Sequence, residues 1–357
     1  MTGEWLNLNT NYSIRKMVFF RADSNKQIAS GHIMRCISIA QAFKDACEDV
    51  TFLIADENPV QMLERAEMKY YTLHSVWNQL MGEVDVMKSL LQSYDNPLLI
   101  IDTYQVSKGY VEALLPYARI CYLGSKPEYL GNLQVLVNYS TDIDHEFYSS
   151  NYGSTTKLLL GAAYAPLRKE FLDVQHKESL DGRCRILLTT GNTDQRQYVE
   201  KIICAIAASP LFKQLEINVV VGEMFENKEK LHFLYDNVEN VYLHENVKSM
   251  SSLMGESDLA VTANGTTVYE LAAARVPAIS FSMVEEQIKS ARKLNELGVV
   301  DYCGEIYQNE RQCIVSILKK IEKYATSPEA RNALATKANS IVDGKGCERI
   351  ASILLKL

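Results

Sequence analysis

Short apolar runs alternate with amphipathic stretches along most of this 357-residue chain. A run of about four to eight apolar residues between polar turns predicts a buried strand, whereas apolar residues spaced three and four apart predict a helix. When the two alternate, the strands usually form a parallel sheet and the helices make the crossovers. The pattern therefore predicts an α/β fold built on parallel sheets.

The alternation occurs twice, once in each half of the chain. In the first half, strands are predicted at 17–21, 50–55, 69–72, 98–102, 119–123 and 135–138. The helices between them are predicted near 32–47, 58–66, 77–94 and 108–117. In the second half, strands are predicted at 184–189, 216–221, 240–243, 258–261, 277–281 and 299–302. The helices there are predicted near 194–207, 226–236, 247–254, 267–274, 285–296 and 308–325.

Chain length agrees with two domains, at roughly 150 residues each. We predict two Rossmann-like, doubly wound domains that face a cleft, since ligand loops follow the carboxyl ends of parallel strands. The segment from Pro166 to Gly182 is charged and contains both proline and glycine, which interrupt helices and strands. We therefore predict that it is a linker between the domains. The expected divisions are an N-terminal extension (1–16), an N-terminal domain (17–165), the linker (166–182), a C-terminal domain (183–342) and a C-terminal helix (343–357).

Composition excludes several classes of protein. Hydrophobic residues make up 47% and charged residues 23%, as in ordinary globular proteins, and the net charge of −7 does not suit nucleic-acid binding. No apolar run approaches the roughly 18–20 residues that span a bilayer, and the polar first 16 residues do not form a signal peptide. The eight cysteines show no CxxC pair or zinc spacing, which favours buried thiols in a reducing cytoplasm. We expect a cytoplasmic protein without a metal site.

One histidine stands in a small polar loop between the first strand and the first helix. Gly31 allows the backbone to approach a ligand, and His32 can accept a proton near neutral pH without a cofactor. The loop lies beyond the carboxyl end of a strand, where open α/β sheets bind ligands. A solvated or capping histidine is the alternative. Arg35, one turn further on, either meets a phosphate or packs outward.

The second half contains two further turns between a strand and a helix. Gly191 and Asn192 lie in the first, and Asn264-Gly265-Thr266-Thr267 opens the helix that carries Glu270. Backbone N–H groups and hydroxyls at a helix start suit a diphosphate, and a carboxylate one turn later suits a ribose diol. A capping box, in which Glu270 bonds back to the helix start, is the alternative. The loop that contains Gln287 would complete the pocket. Neither a Walker motif nor a strand followed by GxGxxG is present, so we expect a nucleotide held by helix ends.

Taken together, the motifs resemble the PseG family of nucleotide-sugar hydrolases, which is related to SpsG and more distantly to MurG-like glycosyltransferases. The resemblance runs from Phe20 to Ile350. In the first half it rests on FRAD (20–23), IxxGHxxRC (28–36), IDTY (101–104), VNYS (137–140) and LLLGAAYAPLRKEF (158–171). In the second half it rests on TGNTD (190–194), TANGTTVYEL (262–271), VPAISFSMVEEQ (276–287) and DGKGCERI (343–350).

The resemblance implies a glycosyltransferase-B fold and a hydrolase, independent of metals and cofactors, that releases UDP from a UDP-linked amino-deoxy sugar. Such a reaction serves pseudaminic-acid-type nonulosonate or surface polysaccharide biosynthesis. By motif match, His32 is the general base that activates water, and Thr266, Thr267 and Glu270 hold the UDP. The remaining residues that the resemblance assigns to the substrate or nucleotide are Arg21, Asp23, Gly31, Arg35, Asp102, Tyr104, Gly191, Asn192, Asn264, Gly265 and Gln287.

The chain departs from the family pattern in the first half. Ala29 replaces a glycine, and Gly124-Ser125 replaces an acidic pair that could orient the sugar or the water. Two alternatives therefore stand beside the hydrolase: a glycosyltransferase that passes the sugar to an acceptor, and a binding protein that has lost catalysis. The expected partner in each case is a small-molecule UDP-sugar, bound by a monomer or weak dimer.

Overall fold

The computed structural model describes residues 17–177, 179 and 182–357. The predicted extension of residues 1–16 lies outside the described residues, as do Glu178, Leu180 and Asp181 of the predicted linker. The chain divides into two compact units, of which the first holds the described residues up to Leu136 together with Ser154–Lys157. The second unit holds Val137–Gly153 and the described residues of Leu158–Leu357.

The change of unit at Leu136 comes earlier in the chain than the domain end predicted at residue 165. The reason is packing, because Ala162 and Ala165 lie in a buried cluster of the second unit and Tyr139 packs against it. The domain limits read from the sequence stay a prediction.

The first sheet has seven strands in the order β3-β2-β1-β4-β5-β6-β7. They are β1 (Met17–Ala22), β2 (Asp49–Ile54), β3 (Lys69–Thr72), β4 (Leu98–Asp102), β5 (Arg119–Leu123), β6 (Val135–Asn138) and β7 (Lys157–Leu160). The pairings among β1 to β5 are all parallel. The helices of this half are α1 (Gly31–Asp45), α2 (Val60–Arg65), α3 (Val84–Leu91), α4 (Lys108–Leu114) and α5 (His145–Tyr152).

The second sheet has six parallel strands in the order β10-β9-β8-β11-β12-β13. They are β8 (Cys184–Thr189), β9 (Leu215–Val220), β10 (Val241–His244), β11 (Leu259–Ala263), β12 (Ala278–Ser282) and β13 (Asp301–Glu305). The helices are α6 (Tyr198–Ala207), α7 (Lys228–Tyr235), α8 (Met250–Gly255), α9 (Thr267–Ala273), α10 (Ile288–Leu297), α11 (Glu310–Ala325), α12 (Pro328–Ile341) and α13 (Gly346–Leu355).

Burial explains why the central strands are apolar throughout. Every residue of β4 and β11 is buried, as expected for parallel strands covered by helices on both faces. In α1, the buried side chains Ile33, Cys36, Ala40 and Phe43 recur at helical spacing and form the face toward the sheet. These packing arrangements confirm the predicted α/β fold with two parallel sheets.

Each sheet reverses its strand order at one place. β1 lies between β2 and β4 in the first sheet, and β8 lies between β9 and β11 in the second. Beyond the carboxyl ends of the strands at such a switch point, open α/β sheets bind ligands. The first switch point lies beside the start of α1, which carries His32, although the sequence predicted this residue in the loop before the helix. The second lies beside the loops that carry Gly191 and Asn264. Among the residues described, no helix has the length and apolarity needed to cross a membrane.

Candidate functional site

His32 and Asp102 meet at the switch point of the first sheet. The histidine is the second residue of α1, which follows β1, and the aspartate ends the neighbouring strand β4. Their contact joins the imidazole Nδ1 to Asp102 Oδ1 at 2.6 Å. The His32 side chain is 9% exposed and that of Asp102 is fully buried. Topology therefore places a histidine and a carboxylate, 70 residues apart in sequence, in direct contact.

Arg35 completes this cluster. Its Nε donates to Asp102 Oδ2 at 2.5 Å, and its Nη2 donates to the other oxygen, Oδ1. The thiol of Cys36 donates to Oδ2 at 3.4 Å. Burial raises the pKa of Asp102, but the charge and hydrogen bonds of Arg35, together with His32, outweigh burial and hold that pKa below its usual value. Asp102 is therefore a carboxylate at neutral pH.

The charge of Asp102 determines the tautomer of His32. A carboxylate only accepts hydrogen bonds, so Nδ1 must carry the hydrogen and donate it. Nη2 of Arg35 lies 3.0 Å from the same Nδ1 and donates to the carboxylate instead. Nε2 then holds a lone pair, and it has no hydrogen-bond partner among residues 17–177, 179 and 182–357. This is the arrangement of a general base oriented by a carboxylate.

The surroundings of the histidine leave room for a ligand. A side chain built at Gly31 would meet no atom within 4 Å. The exposed ring of Tyr104 stands edge-on to the imidazole, with 5.0 Å between ring centroids. Ala29, which replaces the family's glycine, has a φ of 53°. This left-handed conformation is costly for alanine and is of the kind often found beside functional sites.

Four residues that were predicted to bind the substrate or nucleotide bond to other side chains of the protein: Arg21, Asp23, Arg35 and the fully buried Asp102. Arg35 neither packs outward nor stands free for a phosphate, because it pairs with Asp102. Arg21 is fully buried and is bound to Glu83 through Nε at 2.6 Å and Nη2 at 2.9 Å. Its Nη1 donates to Asp23 at 2.5 Å. This geometry favours a structural role for Arg21 and Asp23 beneath the loop that leads to His32.

The second unit contains a cavity of about 290 Å³ at the carboxyl edge of its sheet. It brings together four residues predicted from the sequence, Gly191, Asn192, Thr267 and Glu270. The other residues that line it are Thr189, Val220, Val221, Gly222, Glu223, Asn246, Val247 and Met250. A cavity at a switch point with an apolar wall and a few polar groups is typical of a small-molecule site.

From α9, Thr267 and Glu270 line this cavity. The other predicted residues around the start of α9 and after β12, which are Asn264, Gly265, Thr266 and Gln287, are not among its lining residues. Gly265 and Thr266 are exposed, and a side chain at Gly265 would meet nothing within 4 Å. The side-chain oxygen of Asn264 is buried and has no hydrogen-bond partner within the described part of the chain. Gln287 lies in the segment that follows β12, and its side-chain oxygen accepts a hydrogen bond from the Met283 N–H at 2.8 Å.

The backbone N–H groups at the start of α6 already have a hydrogen-bond partner within the protein. Both oxygens of Asp194 accept backbone hydrogen bonds, from Tyr198 at 2.8 Å and Val199 at 2.9 Å. A carboxylate in this position satisfies the free N–H groups that an anion would use. The turn at Gly191 therefore contributes to the cavity through its open backbone, with a φ of 85°, and the start of α6 does not offer an anion site.

Glu270 does not form a capping box. Thr266 makes no side-chain capping hydrogen bond in the described structure. The Glu270 carboxylate instead accepts from Arg168 Nη2 at 3.2 Å. The other end of the same guanidinium, Nη1, lies 2.7 Å from Glu170 Oε1. Burial raises the pKa of Glu270, although the charge of Arg168 opposes the shift.

Several of these residues were not assigned to the site from the sequence. Arg168 and Glu170 lie in the LRKEF segment, whose three consecutive charged residues between two apolar residues were the available signal. Asn246 lies two residues after the end of β10 with a φ of 51°, a conformation that asparagine tolerates, and an asparagine in the loop after a strand could have indicated it. No group of three or more His, Cys, Asp and Glu side chains suited to a metal ion occurs in the part of the chain that the structure describes.

The comparisons with known proteins agree with both the fold and the motifs. Residues 185–346 match the model of the glycosyltransferase family 28 C-terminal domain. The spore coat polysaccharide biosynthesis protein SpsG of Bacillus subtilis is 26% identical over 205 residues, which is 57% of this chain and 59% of that protein. The match thus spans less than two thirds of that relative's length. The UDP-2,4-diacetamido-2,4,6-trideoxy-beta-L-altropyranose hydrolase of Campylobacter jejuni is 24% identical over 288 residues, 79% of this chain and 97% of that protein.

Solved structures show the same fold at low identity. MurG of Acinetobacter baumannii has a TM-score of 0.67 at 14% identity, and the match covers 96% of this chain and 100% of the MurG chain. Alr3699/HepE of Anabaena, solved in complex with UDP-glucose, has a TM-score of 0.58 at 15% identity and covers 95% of this chain and 99% of its own. The fold is of the glycosyltransferase-B type. Together the matches confirm the resemblance seen in the sequence: the chain is similar to the PseG and SpsG proteins, and its residues 185–346 match the glycosyltransferase family 28 C-terminal domain.

Proposed function

We propose that this protein hydrolyses the glycosyl–phosphate bond of a UDP-linked amino-deoxy sugar and releases UDP. The observation that carries the proposal is the contact between His32 and the ionised Asp102, which leaves Nε2 ready to accept a proton. The similarity to the altropyranose hydrolase supports the substrate class. The product would enter pseudaminic-acid-type nonulosonate or surface polysaccharide biosynthesis.

In this proposal the nucleotide binds in the cavity of the second unit. Glu270 accepts hydrogen bonds from the ribose hydroxyls, because a carboxylate can accept from two neighbouring donors. Backbone N–H groups and hydroxyls at Gly265, Thr266 and Thr267 donate to the diphosphate. The open backbone at Gly191 and Asn192 allows close approach of the ligand.

The chemistry needs one base and one good leaving group. The oxygen of water forms a bond to the anomeric carbon, and the bond from that carbon to the phosphate oxygen breaks with its electron pair. UDP leaves as an anion, and His32 Nε2 takes a proton from the attacking water. The Asp102 carboxylate stabilises the imidazolium that forms. The proposed reaction uses neither a metal ion nor an organic cofactor, and we place it in the cytoplasm in a monomer or weak dimer.

A glycosyltransferase is the second candidate, and the match to a family 28 C-terminal domain favours it. The same base would then deprotonate an acceptor hydroxyl instead of water. A binding protein without catalysis is the third, because Gly124-Ser125 replaces the acidic pair. The packing around Gly124 leaves no space for a side chain at this position. A Cβ there would lie 3.2 Å from Tyr122 Cε1 and closer still to the hydroxyl end of this buried tyrosine.

The test is to incubate the protein with UDP-linked amino-deoxy sugars and to measure free UDP with and without acceptor alcohols. Hydrolysis in water labelled with ¹⁸O should place the label on the released sugar and none on UDP, because the carbon–oxygen bond breaks. UDP release that requires an acceptor would identify a transferase. UDP-sugar binding without release of UDP under either condition would identify the binding protein.

A further inference from the structure

Arg168 is held between two carboxylates. Its Nη2 lies 3.2 Å from Glu270 Oε1, and its Nη1 lies 2.7 Å from Glu170 Oε1. The guanidinium carbon stands 5.0 Å from the ring centroid of Phe171, which is fully buried. Arg168 is therefore fixed on three sides although its side chain is 41% exposed.

Glu170 is itself anchored. Its Oε2 accepts from the hydroxyls of Ser249 at 3.1 Å and Ser251 at 2.9 Å, at the start of α8. Hydrogen bonds from α8 to Glu170, an ion pair between Glu170 and Arg168, and a hydrogen bond from Arg168 thus connect α8 to the Glu270 carboxylate. Such a chain fixes the orientation of its last member, because each donor and acceptor has a defined partner.

The Glu270 carboxylate is the end of this chain that faces the cavity. Its side chain is 18% exposed. Only Oε1 has a hydrogen-bond partner within the described residues, so Oε2 is left for a ligand. The only other charged residue that lines the cavity, again among the described residues, is Glu223. Arg168 is therefore the positive charge that compensates Glu270.

We propose that Arg168 is a positioning residue that orients and compensates the Glu270 carboxylate for the vicinal diol of a ribonucleoside. The proposal rests on the nucleotide site proposed above and adds to it a residue and a ligand class. Arg168 acts on the ribose through Glu270 and makes no phosphate contact of its own.

The proposal predicts a particular dependence on pH. Burial already raises the pKa of Glu270, and Arg168 counteracts this effect, whereas Glu170 adds to it. A protonated Glu270 loses an acceptor, so nucleoside affinity should fall as pH drops through the pKa of Glu270. Removal of Arg168 should raise that pKa further and shift the fall in affinity upward by about 1–2 pH units.

The experiment measures binding of uridine and of UDP by calorimetry or competition across a pH series. Arg168→Met should shift the fall in affinity to higher pH for both ligands, and Arg168→Lys should restore part of the wild-type profile. Glu270→Gln should remove the pH dependence of uridine binding, whereas UDP should keep the dependence that comes from titration of its own terminal phosphate. Arg311→Met, an exposed arginine of α11, is the matched control and should leave the profile unchanged. Thermal unfolding verifies that each variant is folded.

A loss of affinity in Arg168→Met that occurs with UDP and not with uridine would overturn the proposal, because it would indicate a direct phosphate contact. A weakening that is equal at every pH would also overturn it. These results differ from failure of the proposed function, in which the wild type binds neither ligand or binds both without dependence on Glu270.

Discussion

At His32, two groups compete for Nδ1, and the charge of Asp102 decides between them. The carboxylate lies 2.6 Å away and the Arg35 guanidinium 3.0 Å away. If Nδ1 accepted a hydrogen bond from Arg35, its lone pair would face a lone pair of Asp102 Oδ1 across only 2.6 Å, and the two would repel each other. The stable arrangement has Nδ1 as donor and Nε2 as acceptor, which is the tautomer that a general base requires.

This assignment predicts the effect of two substitutions. His32→Asn should leave UDP affinity nearly unchanged and lower turnover about 10²–10⁴-fold, the usual contribution of a general base. Asp102→Asn should also lower turnover by about 10²-fold or more, because an amide can donate to Nδ1 and favour the opposite tautomer. Steady-state kinetics and calorimetry on the same preparations give the measurement. Turnover near that of the wild type in either variant would contradict the assignment of His32 as base.

Glu270 gives a second prediction at the same scale. Glu270→Ala should weaken UDP binding by about 1–3 kcal/mol, the cost of losing a hydrogen-bond partner that is charged. Calorimetry at constant pH and salt measures it, and Glu329→Ala on the exposed start of α12 is the control. Unchanged affinity would leave Glu270 with a structural role beside Arg168.

At the scale of elements, a buried ion cluster connects β1 to the start of α3 and to α4. Arg21 on β1 binds both Asp23 and Glu83, and the Tyr110 hydroxyl on α4 donates to Glu83 at 2.7 Å. Ser75 donates to the same carboxylate at 2.8 Å. Arg21 is completely buried, so its charge depends on these partners for compensation.

Removal of one partner should therefore be severe. Glu83→Gln should destabilise the protein by about 3–5 kcal/mol, because it leaves the buried guanidinium with less compensating charge. Urea unfolding followed by circular dichroism measures the loss. Glu112→Gln is the matched control, since Glu112 is exposed and its pair with Lys108 spans 3.6 Å on the surface of α4. The control should change stability by less than about 0.5 kcal/mol, and an equal effect of both variants would refute the argument.

The sequence predicted helices and strands well wherever the spacing of the apolar residues matches the burial in the structure. The predicted strands at 98–102, 119–123 and 135–138 coincide with β4, β5 and β6, which are short and almost entirely buried. The helix α12 was not predicted, because half of its residues are polar and its buried residues are two alanines, Ala335 and Ala338. Alanine gives only a weak apolar signal, although it favours helices.

In the candidate site, the sequence predicted local motifs but did not predict contacts between residues that are far apart along the chain. The turn from Asn264 to Glu270 was visible because all its parts lie within one local segment. Neither the contact of Arg35 with Asp102 nor that of Arg168 with Glu270 could be read from the sequence, since the partners are 67 and 102 residues apart. Sequence spacing identifies residues that can do chemistry, whereas only the strand order determines which of them meet.

At the scale of the whole molecule, each unit carries one part of the proposed chemistry. The first unit contains His32 with the Asp102 carboxylate at its Nδ1, and the second contains a cavity lined by Glu270, which pairs with Arg168. Both parts lie at the switch point of a parallel sheet, where the connecting loops can vary without changing the core. Differences in substrate among proteins of this fold can then arise in the loops alone.

The proposed nucleotide site also predicts which groups compensate the charge of the phosphates. If N–H groups and hydroxyls at Gly265–Thr267 supply the donors, UDP release should continue unchanged in excess EDTA. Thr267→Val should weaken UDP more than uridine, and Thr267→Ser should retain most of the UDP affinity, because it keeps the hydroxyl. UDP should be measured directly by ion-exchange chromatography, since coupled assays can need a divalent ion themselves. Activity that disappears in EDTA and returns with added Mg²⁺ or Mn²⁺ would show that a metal supplies the missing charge and would overturn the assignment of the phosphate donors.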